Sequence, residues 1–276
     1  MTLFEKLEEA SAYIKKQRDV RPQVGVVLGS GLGAFVDQIQ DKVTLAYDDI
    51  PHFKQTTVEG HEGRLILGKI GNVEVAVMQG RYHAYEGHHT DQVVFPVRLL
   101  ARLGIDSIIL TNASGGVNES YKSGDLVMIT DHINLSGQNP LVGPNIAELG
   151  PRFPDMTKAY DPKLQEILMS QAKAQGVDLK KGIYAGVLGP TYETPAEVRM
   201  IRILGGDLVG MSTVPESIAA NHLGLSVAGV SCVTNMAAGI ENVKLQHSDI
   251  KEQALKVMQK FSSLLVESIK IIGNPQ

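Results

Sequence analysis

The segment Gly80-Arg81-Tyr82-His83-Ala84-Tyr85-Glu86-Gly87-His88 gathers an arginine, two histidines, two tyrosines and a carboxylate directly after the strand-like run Val73–Gln79. Folding seldom needs so many hydrogen-bonding side chains where a strand becomes a loop, whereas a site for an anionic, hydroxylated small molecule does. Arg81 and His83 are two residues apart, so in extended chain they point the same way. Both can donate to an oxyanion, the arginine bidentately. Solvated surface charge is the plain alternative for either alone; with the hydroxyls of Ser30 and Ser212 as partners, anion binding is favoured. Glu86, His88 and His89 are of metal-ligating types, but the sequence has no HExxH, and adjacent loop histidines usually face solvent or serve structure. No metal and no organic cofactor is expected.

Other polar clusters share one position, the end of an apolar run. Leu28 leads to Gly29-Ser30-Gly31-Leu32-Gly33, Leu110 to Thr111-Asn112-Ala113-Ser114-Gly115-Gly116, and Leu188 to Gly189-Pro190-Thr191-Tyr192-Glu193-Thr194. Val209 leads to Gly210-Met211-Ser212-Thr213, and Val233 to Thr234-Asn235. In open α/β sheets, ligands bind beyond the carboxyl ends of the strands, so the convergence says more than any one cluster. Gly29–Ala34 also fits the dinucleotide pattern G-x-G-x-x-G/A, with Asp48 near the distance of a ribose contact. Three readings of it compete: an anion-binding loop presenting backbone N–H groups and the Ser30 hydroxyl, a dinucleotide fingerprint, and a plain turn. The short stretch to Gln40 leaves little room for a crossover helix and favours the first. Taken singly, Glu193 could serve the helix after it, Asn235 a turn, and His247 the surface beside an N-cap at Ser248. A serine hydrolase is disfavoured because no serine sits in G-x-S-x-G.

Strands and helices that could position these clusters alternate along the chain. Thr2 and Glu5 make a capping box for a helix to about Gln17. Val24–Leu28, Ser107–Thr111 and Leu126–Ile133 read as buried strands, and Val43, Leu45 and Tyr47 as a half-exposed one. Arg64–Ile70 and Val73–Gln79 flank the turn pair Gly71-Asn72. Further strands are expected over Gly182–Leu188, Leu208–Met211 and Leu225–Thr234. Helices are expected from Thr90 or Asp91 to about Leu103, from Pro162 to Gly176, after the capping box Thr194–Glu197, from about Pro215, and from near Ser248 past Val266. The pattern implies one α/β domain over residues 1–276 around a mixed central β-sheet flanked by helices. His132–Tyr160 is too long and irregular for an idle connection, and is expected to cover a site or meet a neighbouring subunit.

Composition excludes several classes. Hydrophobic residues make up 43% and charged residues 20% of 276 residues, ordinary for a large core. A formal charge of −4 without basic blocks argues against nucleic acid as a partner. The lone Cys232, in an apolar run, excludes an intramolecular disulfide and reads as a small buried hydrophobe. An acidic, amphipathic N-terminus and the absence of a long apolar run point to a cytoplasmic protein with no membrane partner.

With the clusters assembled, the chain resembles the trimeric purine nucleoside phosphorylases over nearly its whole length. The resemblance rests on Leu28–Gly33, Gly80–His88, Thr111–Gly116, Asp131-His132-Ile133-Asn134 with Gly137–Leu141, Gly189–Thr194, Gly210–Glu216 and Thr234-Asn235. It implies a homotrimer in which Ser30, Arg81, His83, Ala113 (through its N–H) and Ser212 bind phosphate, the co-substrate. Tyr85, Met211 and His247 would hold the ribose, and Tyr192, Glu193, Val209 and Asn235 the purine, with Asn235, His83 and Glu193 carrying the catalysis. The implied reaction is phosphorolysis of 6-oxopurine (deoxy)ribonucleosides, inosine and guanosine, in purine salvage. The chain departs from the animal members in having no phenylalanine between Asp131 and Pro151, and in Tyr192 where Phe is common. Methylthioadenosine phosphorylase is the nearest rival, but enzymes for 6-aminopurines usually place Asp where Asn235 stands. A dinucleotide-dependent oxidoreductase leaves Arg81–His88 and Asn235 unexplained. A non-catalytic nucleoside-binding module would differ only in lacking turnover.

Overall fold

The computed structural model describes residues 1–19, 21–58, 60–241 and 247–274, with only the backbone described for 247–256. Among the described residues, nine strands form one mixed sheet: β1 (Val24–Leu28), β2 (Gln40–Ala46), β3 (Arg64–Ile70), β4 (Val73–Gln79), β5 (Ser107–Gly116), β6 (Leu126–Asn134), β7 (Leu179–Gly186), β8 (Leu208–Gly210) and β9 (Ser226–Met236). They lie in the order β2-β3-β4-β1-β5-β8-β7-β6-β9, and β9 returns to pair with β5. Half of the sheet is therefore open, and β5, β8, β7, β6 and β9 close into a ring. β1 runs parallel to β4 and β5, and β5 parallel to β9.

Period-two alternation sends β5 side chains to two cores. Ile108 and Leu110 join Leu7, Leu99 and Ile218 from helices α1 (Leu3–Gln17), α3 (Phe95–Leu103) and α6 (Val214–His222). Ile109 packs on the other face with Leu164 and Leu168 of α4 (Pro162–Ala174) and with Phe261 and Leu264 of α7 (His247–Ile272). A third, smaller cluster sets Val198 and Ile201 of α5 (Pro195–Ile203) against Val209 and Ala237. Strands covered on both faces must be apolar throughout, which is why β1 and the first half of β5 read as continuous hydrophobic runs.

The capping boxes at Thr2 and Thr194, the Asp161 cap and the Gly71-Asn72 hairpin form as the sequence predicts, with Gly71 at φ 61°. Several boundaries differ. The helix expected from Thr90 or Asp91 is capped instead by the His89 side chain, runs only over α2 (Thr90–Val93), and restarts at α3 because Pro96 has no N–H to continue the ladder. Tyr47 leaves β2 for a single 3-10 turn and buries its ring. β7 spans Leu179–Gly186, so Leu188 lies beyond it. His247 already belongs to α7, so Ser248 is not its N-cap. Cys232 is fully buried, and burial pushes its thiol up to about 12, in keeping with a hydrophobe's role.

β5 continues beyond the expected end at Thr111 through the polar cluster to Gly116, because its far end pairs with β8 and β9. The register against β9 slips between Ser114 and Gly115, so that Ser114 faces Val233 and Gly115 faces Asn235. Such a bulge re-aims side chains at a sheet end. The dinucleotide reading of Gly29–Ala34 fails on topology: a short 3-10 segment, Gly33–Gln38, leads straight into β2, which pairs antiparallel with β3 and makes no crossover. Gly29 itself is required by close approach, since a Cβ there would lie 2.6 Å from the Asn112 Cα. Gly29→Ala is accordingly expected to lower stability by about 1–3 kcal/mol by forcing β1 and β5 apart. An unchanged urea midpoint would show that the two strands have room to spare.

Candidate active site

At the carboxyl ends of β1, β4, β5, β8 and β9 lies a cavity of about 390 Å³, within the range of small-molecule sites. Its wall contains Ser30, Arg81, His83, Ala113, Ser212, Tyr85, Met211, Tyr192, Glu193, Val209 and Asn235. Segments separated by up to two hundred residues of chain are thus brought to one hollow. Those wall residues are all that the resemblance assigns to phosphate, ribose and purine except His247, whose side chain lies outside the described residues.

One end of the cavity is built to donate hydrogen bonds. The backbone N–H of Arg81 donates to Nδ1 of His61 at 2.8 Å, so the His61 proton sits on Nε2 and donates to Ser30 Oγ, 2.9 Å away. The Ser30 O–H is then left to donate elsewhere. Burial, reinforced by the neighbouring His83 and Arg81, lowers His61 to about 3 and keeps it neutral. Arg81 is buried, with Nη1 donating to the Thr111 carbonyl at 2.6 Å and lying 3.5 Å from Ser212 Oγ. Ser212 precedes Thr213, whose φ of 67° is costly for a β-branched residue. Asn112 Nδ2 holds Thr213 Oγ1 at 2.8 Å, and Ser231 in turn donates to Asn112 Oδ1 at 2.6 Å. A buried polar chain from β9 through β5 therefore fixes the turn that presents Ser212.

His83 stacks on Tyr85, with ring centroids 4.7 Å apart and planes 17° from parallel. Its Nδ1 lies 3.1 Å from Glu86 Oε1, which also accepts from the His83 backbone N–H. Burial would raise the Glu86 carboxyl, but hydrogen bonds from His83 and Thr57 outweigh it and bring it down to about 2. Burial lowers His83 in spite of that partner. The neutral ring, donating from Nδ1 to Glu86, leaves Nε2 as an acceptor, so His83 is suited to take a proton from a phosphate or a hydroxyl. The sequence reading treats it as a donor only. The Glu86 oxygens serve His83 and Thr57, and His89 caps α2.

Elsewhere in the wall, Asn235 accepts from Thr234 Oγ1 at 3.0 Å and donates one amide hydrogen to the Met236 carbonyl at 3.1 Å. One N–H and one oxygen lone pair remain. Glu193 also lines the cavity, and burial raises its carboxyl against a stabilising backbone hydrogen bond. Tyr192, 40% exposed, stands at the mouth. The sequence reading missed His61, and it placed Asn112 and Thr234 in the strand-end clusters without giving either a role; all three are in the wall. His61 carries a signal in its neighbours: Gly60 and Gly63 bracket it at φ 88° and 62°. Asn112 and Thr234 show their part only once β5 and β9 are paired.

Known proteins resemble the chain in sequence and in fold. The phosphorylase superfamily model matches residues 23–270. Purine nucleoside phosphorylase 1 of Bacillus subtilis (strain 168) is 50% identical over 261 residues, covering 95% of this chain and 96% of that protein. A Schistosoma purine nucleoside phosphorylase solved with hypoxanthine superposes with a TM-score of 0.93 at 38% identity, covering 100% of both chains. The Schistosoma mansoni enzyme solved with adenosine gives the same TM-score and identity over 100% of this chain and 99% of its own. The chain belongs to the phosphorylase superfamily and, within it, to the purine nucleoside phosphorylases.

The depressed His61 has a consequence for stability. Its unfolded form takes up a proton near pH 6.5 and its folded form only near 3, so stability is lost as pH falls below about 6.5. At pH 5 the loss from this residue should be on the order of 2 kcal/mol. Urea unfolding of His61→Gln at pH 7 and pH 5 should show a loss smaller by that amount than in wild type. Equal losses would mean that the buried ring is protonated in the native state.

Proposed function

We propose that the chain phosphorolyses 6-oxopurine (deoxy)ribonucleosides, inosine and guanosine, to free base and α-(deoxy)ribose 1-phosphate, as a cytoplasmic step of purine salvage. The supporting observation is one cavity whose wall holds both an anion cradle and an amide and a carboxylate suited to a purine. Phosphate would lie against Ser30, Arg81, His83, the Ala113 N–H and Ser212. It is a nucleophile already and needs placement against C1′ more than activation. As the bond to N9 lengthens, the sugar gains positive charge beside the phosphate and the purine gains negative charge. The ribose would lie between, with Tyr85 and Met211 in the wall and His247 expected at its 5′ end.

The remaining Asn235 N–H suits a carbonyl at position 6, and its remaining lone pair suits N7 once N7 carries a proton. Glu193 can accept from N1–H and from a 2-amino group. Tyr192 and Val209 supply apolar surface to the base. Hydrogen bonds that strengthen as charge moves onto the base lower the barrier, each by about 3 kcal/mol in comparable sites. A relative binds adenosine, so preference is judged by turnover rather than by binding.

The active form is a homotrimer in this reading. Besides the family resemblance, Val142 and Phe153 on the long segment after β6 are 82% and 87% exposed, apolar side chains that a neighbouring copy would cover. Light scattering showing a fully active monomer would refute this part. No metal or organic cofactor takes part in the proposed reaction. Base release from inosine should require phosphate and persist in excess chelator; equal hypoxanthine release in phosphate-free buffer would indicate a hydrolase. Asn235→Asp replaces the amide donor with an acceptor that repels O6, so kcat/KM for inosine should fall about tenfold or more. The inosine-to-adenosine ratio of kcat/KM should fall with it, and an unchanged ratio would remove Asn235 from reading position 6.

A further inference from the structure

We propose that Glu216 is a positioning residue for the anion site, one that fixes the guanidinium of Arg81 and offsets its charge. The inference rests on the phosphate reading of the cavity. Arg81 and Glu216 are 2% and 3% exposed, and Arg81 Nε donates to Glu216 Oε1 at 3.0 Å. Nη1 is engaged by the Thr111 carbonyl and by Ser212 Oγ. Three of the five guanidinium hydrogens are thereby committed, and Nη2 has no partner among the described residues. Contacts to α6, to β5 and to the turn after β8 thus hold the guanidinium plane beside Ser212 in the cavity wall, while Nη2 itself is buried.

Helix capping does not account for Glu216. It occupies the third position of α6, where a glutamate ordinarily reaches back to the N-cap N–H, but no side chain caps this helix. Its carboxylate turns instead to Arg81, 135 residues away in the chain. Its Oε2 also lacks a partner among the described residues, a cost that a stabilising contact alone does not explain. The pair matters for charge as well. With His61 and His83 neutral, the ionised groups at this end are Arg81, Glu216 and Glu86, which carry no excess of positive charge. Phosphate is then held by directed hydrogen bonds rather than by net attraction, an arrangement that also lets a sugar phosphate leave.

The test compares Glu216→Ala with Glu216→Gln, whose amide oxygen can still accept from Arg81 Nε. Phosphate binding is followed by calorimetry with inorganic phosphate alone, and turnover by varying phosphate and inosine separately. Glu216→Ala should raise the phosphate Kd and KM about tenfold or more while leaving the inosine KM within about twofold. Glu216→Gln should hold phosphate within about threefold of wild type, or more tightly because the Arg81 charge is uncovered. If Glu216→Ala does not fold, Glu216→Asp makes the same distinction: the shortened carboxylate cannot reach Nε in place, so phosphate should weaken although the charge is kept. Equal losses in Ala and Gln variants, parallel rises in both KM values, or an unchanged phosphate Kd in the Ala and Asp variants would each overturn the proposal. Phosphate-independent base release by the wild type would instead sink the phosphorolytic reading, while the calorimetry still judges Glu216.

Discussion

Strand β5 runs for ten residues with β9 along one edge, while β1 and β8 pair with only the two ends of the other and leave Thr111–Ser114 without a strand beside them there. Unpaired backbone groups along the whole β9 edge would cost too much to leave, so the sheet has to curl until β9 meets β5 again. Curling closes the ring and gathers the carboxyl ends of separate strands around one hollow. The slip between Ser114 and Gly115 is part of the same adjustment, and it sets Asn235 opposite Gly115 at the rim.

Within the hollow, the ionised groups are balanced more than they are accumulated. At the anion end Arg81 is paired with Glu216, and His83 with Glu86. Burial keeps both histidines neutral, so their ring nitrogens act as fixed donors and acceptors whose tautomers are set by neighbouring atoms. Preorganised dipoles of this kind need little rearrangement when charge moves during a reaction. The strained Thr213 and the buried Asn112–Ser231 contacts belong to the same preorganisation, because they hold the turn bearing Ser212.

Most of the fold was legible in local patterns. Capping boxes, the Pro and Gly punctuation of α4 and α5, and the Gly71-Asn72 turn depend on contacts a few residues apart, which sequence spacing encodes directly. The errors fell where distant partners decide. The strand expected to end at Thr111 runs on to Gly116, because its far end pairs with β8 and β9, which local polarity and glycines do not reveal. Pro96 was visible, yet whether it would open a helix or interrupt one depended on how Phe95 and Val97 were drawn into the core. His61 lay between glycines in plain view, but its value comes from lying between Arg81 and Ser30.

By itself the sequence determined the class of fold, because the order and periodicity of apolar runs leave few ways to bury them. It also determined which residue types meet the ligand, since clusters such as Arg81–His88 have no purpose in a core. The family followed from the same motifs. The tertiary structure alone decided the closure of the sheet, the part of β5 in the rim, the single proton position on His61 and the pairing of Arg81 with Glu216. Those features arise from atoms that approach within about 3 Å across more than a hundred residues of chain, or across sheet edges. Sequence spacing carries no record of such approaches; burial and hydrogen-bond satisfaction enforce them only when the whole chain has folded.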